Sequence, residues 1–295
     1  MIRFPIALLE GKKLTRVIFS LCPSPPFNSQ LFSSLLKKAY EMGAWCFDLP
    51  SLEHVESFKR FKQEIGDETL LGLCHLKVEE GLTFFGNPLQ RFESKMISTI
   101  KKDFLPPHIA RRVFPQTPSS EVFTQKEIDH ILLDPIRFDK ILSPFKPEDS
   151  PFLLIGGRYG DWLLSLGRMD LLKEMVARLK QKGFIPIYSG QWTTFILPKA
   201  KPLEVAAYAI PINKNHIPFD FSLACNLIKR FDKPLISLNP LANGSLLKKS
   251  KKAFSFLFQD LKVHSAIVPI QGEKEMDQIE KGLESIPSLI PPRKT

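Results

Sequence analysis

Asp48, His75 and Asp134 carry side chains able to move protons or hold a divalent cation, and each ends an apolar run that reads as a strand. Two carboxylates and an imidazole can share a cation, or can divide general acid and base work if their surroundings push their pKa values apart. The same residues could instead serve structure. Asp48 and Asp134 could cap loops or pair with Arg137 or Arg158, and His75 could be a rim histidine with its hydrogen bonds met. Ser189, Asn213, Asn239 and Gln271 also stand where an apolar run gives way to a loop. Polar groups repeated at that position point to one common face.

Such a face needs a scaffold in which many strands end together. Apolar runs fall at 16–22, 44–49, 69–76, 130–133, 184–188, 206–211, 234–238 and 266–270. Most are continuous rather than alternating, as expected where both faces of a parallel sheet are covered. Helical periodicity falls between them at 29–42, 52–65, 171–182, 221–231, 253–262 and 275–286. The first of these places Leu31, Leu35, Leu36 and Ala39 on one side and ends at Gly43. Residues 88–114 read as helical with a break at Pro106 and Pro107.

Strands alternating with helices in this way predict an α/β fold, a single (β/α)8 TIM barrel. A doubly wound sheet would be expected to open on a glycine-rich turn, but Pro23, Pro25 and Pro26 follow the first strand here. The GGRYG run at 156–160 matches neither a dinucleotide fingerprint nor a P-loop. Pro135, Pro144, Pro147 and Pro151 interrupt 134–161, which predicts an irregular proline-rich loop after strand four, with a short extended stretch at 152–155, suited to a lid. The barrel is expected to use 1–286 as one domain, with 287–295 a disordered tail.

The loops after strands seven and eight carry a second signal. Asn239, Asn243 and Gly244 follow one strand, and Gly272 and Lys274 follow the other. Barrels frequently hold phosphate between these two loops, on backbone N–H groups and a helix N-terminus. The glycines could equally serve only their turns. Around the mouth, Arg158 could clamp a carboxylate or phosphate or pair with Asp161 or Asp134, and Ser189 with Trp192 could receive a planar ligand, helped by Asn213.

Composition limits the partners. The 295 residues are 43% hydrophobic and 24% charged, enough to build a core and against wholesale disorder. A formal charge of +10 favours an anionic small-molecule ligand, with Lys248, Lys249, Lys251 and Lys252 the densest basic cluster. Basic residues interleaved with aromatics, or a recognisable nucleic-acid module, are not visible, so nucleic acid is not an expected partner. No run is long and apolar enough to span a bilayer and no secretory signal opens the chain, so the expectation is a cytoplasmic protein without a membrane partner. Cys22, Cys46, Cys74 and Cys225 lie inside apolar runs with no metal-ligand spacing and read as buried thiols. Cys22 and Cys74, near strand ends, leave a reactive thiol open.

Several stretches resemble the aldo/keto reductases over most of the chain. The run from Ala39 through Gly43, Trp45 and Phe47 to Asp48 is similar to that family's approach to its catalytic aspartate. The run from Ile128 to Asp134 resembles the strand ending in the catalytic histidine, the run from Pro240 to Gly244 the cofactor loop, and the run from Ile270 through Glu280 to Gly282 the closing strand and phosphate-contacting helix. The resemblance implies the barrel and NADP as a cofactor. Of the family's aspartate, tyrosine, lysine and histidine, only Asp48 matches. No tyrosine lies in 49–53, the lysine position falls around Cys74 or His75, Asp134 replaces the histidine, and Gly282 stands for a nucleotide-contacting asparagine. The reading leaves open an oxidoreductase with another proton donor such as His75, a metal-assisted enzyme, and a barrel that only binds a ligand or partner.

Overall fold

The computed structural model describes residues 6–21, 27–103, 121–215, 217 and 220–284. Eight parallel strands close into a barrel in chain order, which is the predicted (β/α)8 topology. The strands, numbered along the whole chain, begin with an antiparallel hairpin, β1 (Ile6–Leu9) and β2 (Lys12–Thr15). Glu10 and Gly11 at its tip both take positive φ, the mark of a two-residue turn matched to strand twist. The hairpin had no counterpart in the sequence reading. Leu9 and Leu14 from it pack with Ile18, Cys46, Leu73 and Phe152, so it closes the end of the barrel opposite the strand C-termini.

The barrel itself starts with β3 (Val17–Leu21), β4 (Cys46–Leu49) and β5 (Leu71–His75). Three short strands then form a separate antiparallel sheet, β6 (Leu82–Phe84), β7 (Asn87–Pro88) and β8 (Ile131–Leu133), in the order β7-β6-β8. The barrel resumes with β9 (Phe152–Gly156), β10 (Ile185–Ser189), β11 (Ala207–Pro211), β12 (Leu235–Leu238) and β13 (Ser265–Ile270), which pairs back onto β3. The core has two parts. One fills the barrel interior, and the larger one lies between the strands and the surrounding helices.

The predicted fourth strand is therefore displaced. Residues 131–133 pair with Leu82, Thr83 and Phe84 outside the barrel, with Leu132 52% exposed, whereas Leu154 in β9 is 2% exposed inside it. Three apolar residues cannot distinguish a barrel strand from a strand of a small outer sheet, because the partner decides. Of the region read as an irregular loop, 143–151 is irregular and the expected extended stretch at 152–155 is barrel strand β9, but the residues on either side are helical. Pro135 opens the helix Pro135–Leu142 and does not break it, since a first-turn proline has no N–H to lose. Barrel strand β9 and the helix Gly157–Ser165 follow. The predicted helices 52–65 and 221–231 appear as Leu52–Ile65 and Phe221–Arg230. Of 88–114, the helix Glu93–Asp103 is described, and Pro106, Pro107, Cys22 and the tail 287–295 lie outside the described residues. Among the described residues no helix is long and apolar enough to cross a membrane.

Candidate functional site

Alternation along three adjacent barrel strands brings the central polar group together. Cys46 and Leu73 point into the barrel, so two residues on Asp48 and His75 point the same way, at the mouth. The register sets Ser20 directly beside Asp48. Asp48 is 3% exposed and both its oxygens are engaged: the Ser20 hydroxyl donates to Oδ2 at 2.6 Å, and His75 Nε2 lies 2.6 Å from Oδ1. Burial alone would lower the His75 pKa, but the charge of Asp48 and its hydrogen bond outweigh burial, and the net shift is upward. The His75 side chain is 38% exposed and faces a cavity of about 730 Å³. An imidazole held through Nε2 by a buried carboxylate has its tautomer fixed and keeps Nδ1 for a reacting group.

A second histidine completes the arrangement. His54 lies on the first turn of the helix Leu52–Ile65, 8% exposed, with its ring edge-on to Phe27 and Phe32 and Nδ1 2.7 Å from the Ser51 hydroxyl. Burial lowers its pKa, against the opposing charges of Asp48 and Glu53, and His75 lowers it further. Two imidazoles that share the field of one carboxylate are thus pushed in opposite directions. Sequence reasoning missed His54. Its position just after the loop that follows Asp48 was the available signal, hidden because a polar first-turn residue usually faces solvent.

Asp134 does not join this group. Its carboxylate accepts from the backbone N–H groups of Ile136 and Arg137 at 3.0 and 3.1 Å and pairs with the Arg137 side chain at 3.3 Å, so it caps a helix outside the barrel. The displaced strand is what sets it apart from Asp48 and His75. Among the described residues no group of three histidine, cysteine, aspartate or glutamate side chains is set to hold a metal ion.

The other predicted residues scatter. Arg158, just past the true fourth strand, pairs with Glu93 at 3.1 Å and lies over the Trp162 ring at 4.9 Å. Tyr159 donates to the same Glu93 carboxylate. Asp161, half of an expected pair with Arg158, has a different task. It is fully buried and accepts from the Tyr188 hydroxyl at 2.7 Å and from the backbone N–H groups of Gln191 and Trp192 at 2.7 and 3.0 Å. That clasp holds the loop carrying Trp192, which is 5% exposed, while Ser189 ends β10 half-buried. Burial pushes the Asp161 carboxyl up to about 7, against the three donors. Asn213 is buried and caps its own turn by accepting from the Asn215 N–H at 3.0 Å. Cys74, on β5 next to His75, is fully buried, and burial pushes its thiol up to about 12, so little thiolate forms at neutral pH.

After β12, Asn239, Ala242, Asn243 and Gly244 all take positive φ, and the Asn243 N–H is bound by the Asn239 side chain at 2.7 Å. At the helix Glu273–Glu284 the Gln271 N–H donates to the Glu275 carboxylate at 2.7 Å, and Glu273 also lies in the first turn. Gly272 precedes this turn and Lys274 lies within it, between the two glutamates. Glu273 and Glu275 meet part of the helix-end positive field and compete with a phosphate there. Gly282 is buried, and a Cβ there would collide with Ser250, so the asparagine implied by the resemblance has no room.

The barrel matches solved structures along almost its whole length. The holo form of an aldo-keto reductase from Bacillus halodurans aligns with a TM-score of 0.59 over 97% of this chain and 92% of that one, at 11% identity. Its apo form gives 0.51 at 9% identity over 97% and 92%. A thermostable aldo-keto reductase in complex with the inhibitor epalrestat gives 0.52 at 10% identity over 95% and 94%. The chain shares the closed (β/α)8 barrel of these reductases. No family model and no curated protein matches the sequence. Asp48 lies on β4 and His75 ends the neighbouring β5, the stretch in which the sequence resemblance implies a lysine. At the end of the fourth strand the chain has Gly156 and Gly157, not a histidine.

Proposed function

We propose that this protein is an enzyme acting on a carboxylate- or phosphate-bearing small molecule at the C-terminal face of the barrel, with His75 as the group that takes up and returns a proton. The observation that carries the reading is the 2.6 Å contact between His75 Nε2 and the buried Asp48, whose second oxygen is held by Ser20. Asp48 is the positioning residue. It fixes the ring and favours the imidazolium, so His75 can accept a proton at Nδ1 and hold it until the reaction returns it. The basic surface, formal charge +10, supports an anionic substrate.

The reductase reading, in which His75 would serve a nicotinamide cofactor, has less behind it. After β13 the start of the helix Glu273–Glu284 carries Glu273 and Glu275 where a dinucleotide phosphate would sit; titration with NADPH, followed by its fluorescence, tests that reading, and no binding at millimolar concentration would sink it. A barrel that only binds would be favoured by an apolar plug in the mouth. Phe138 and Leu142 are instead buried within the outer packing, with Phe138 against Gly81, Phe152 fills the barrel interior, and Phe145 lines a cavity of about 730 Å³ that stays open beside His75.

The test is to incubate the protein with a metabolite extract and follow compounds by mass spectrometry. The wild type should consume an anionic compound, and His75→Asn and Asp48→Asn should abolish this while each keeps a cooperative thermal transition, with a melting temperature lowered only by the loss of the pair. Equal turnover in both variants, or collapse of stability in both, would remove the proton-transfer role.

A further inference from the structure

We infer that the cavity beside His75 binds an organic monocarboxylic acid with a compact apolar body. This inference rests on the proposed function for its meaning and names the substrate class at the same site. The cavity lies between the start of the helix Leu52–Ile65, the segment after β5 and the helix Pro135–Leu142, so one wall belongs to the insertion that separates the third and fourth barrel strands. Its volume, about 730 Å³, is within the usual range for small-molecule sites.

The wall explains the ligand. The helix Pro135–Leu142 buries Phe138 and Leu142 against the core, and another face sends Arg137, Lys140 and Ile141 to the cavity, one helical turn apart. Leu52, Leu76 and Phe145 add apolar surface. Arg137 meets Asp134 through Nε, at 3.3 Å, and no other side-chain partner of its guanidinium is present among the described residues, so its outer edge can take a planar carboxylate. Lys140 has no ion pair among the described residues, and Lys77 is held by Glu80 at 3.6 Å.

The charge count sets the valence of the ligand. Glu80 is met by Lys77 and Asp134 already faces Arg137, so Lys140 is the lining cation without an ion pair among the described residues; it matches a single carboxylate, whereas a dianionic phosphate would add a second charge beside Glu53 and Glu80. The apolar surface needs a ligand body to cover it, which inorganic anions lack. With the carboxylate on the insertion and the body against Leu76, the acid lies alongside His75.

Backbone amide spectra titrated with 3-phenylpropanoate, its neutral amide 3-phenylpropanamide and inorganic phosphate test this. The acid should shift Leu76, Lys77, Lys140 and Ile141, and the amide should bind at least about tenfold more weakly, the ratio that a lost charge-assisted contact gives. Phosphate should not displace the acid. Arg137→Gln with Lys140→Gln, on exposed or half-exposed positions, should weaken the acid at least about tenfold with the spectrum otherwise intact; Lys140→Glu alone should weaken it too. No shift at these residues, equal binding of the amide, displacement by phosphate, or unchanged affinity in the variants overturns the inference. Binding is read without turnover, so equal consumption of the metabolite extract by the His75 and Asp48 variants removes the proton-transfer reading and leaves this one standing.

Discussion

At the scale of single residues, Asp48 decides what His75 can do. Asp48→Asn keeps the shape and removes the charge, so the His75 pKa should fall from its raised value to or below the ordinary 6.5 or so, measured by imidazole proton shifts against pH. A pKa that stays high after that change would assign its elevation to something other than the pair. The sign for stability follows. His75 has a higher pKa folded than unfolded, so its stabilising contribution is complete below about pH 6.5 and is lost as pH rises through the folded pKa. Urea midpoints of the wild type should therefore fall across that window more than those of His75→Asn. Parallel pH curves for the two would mean that the pair adds no linkage.

Among the elements, two close approaches hold the mouth in shape. Asp161 ties Tyr188 to the Gln191 and Trp192 backbone, and Asp161→Asn would present N–H to N–H at one of these contacts. A loss of about 1–3 kcal/mol is expected, the cost of unsatisfied buried groups, together with a change in tryptophan emission. Unaltered emission and stability would show that the loop is held elsewhere. The helix Glu273–Glu284 crosses Ser250 at Gly282, so Gly282→Asn should overpack this contact and cost about 1–3 kcal/mol in urea unfolding. Neutrality there would show that the helices can separate.

For the whole molecule, the insertion between the third and fourth barrel strands is the departure that matters. It takes residues 131–133 out of the barrel and puts 152–156 in, moving Asp134 away from Asp48 and bringing Arg137 and Lys140 to the cavity beside His75. Mutations can distinguish the two strands. Leu154→Ala should cost about 2–5 kcal/mol as a cavity in a packed barrel, and Leu132→Ala within about 0.5 kcal/mol, because Leu132 already faces solvent. The reverse order of unfolding midpoints would return 131–133 to the barrel.

Much of this was legible in the chain itself, and unevenly. Continuous apolar runs and helix-period stretches are local consequences of burial on both strand faces and on one helix side, so barrel, strand count and Asp48 with His75 at strand ends could be read directly. Which run is the fourth strand could not, because 131–133 and 152–156 are both short and apolar and only pairing partners separate them. His54 and Asp161 were hidden for a related reason: their burial comes from Phe27 and Phe32 in one case and from Tyr188 and the 190–192 backbone in the other, groups distant in sequence. The sequence by itself determined the periodicities and hence the class of fold. Tertiary structure alone decided which carboxylate meets the imidazole, since a hydrogen bond of 2.6 Å depends on strand register and not on the order of residues along one strand.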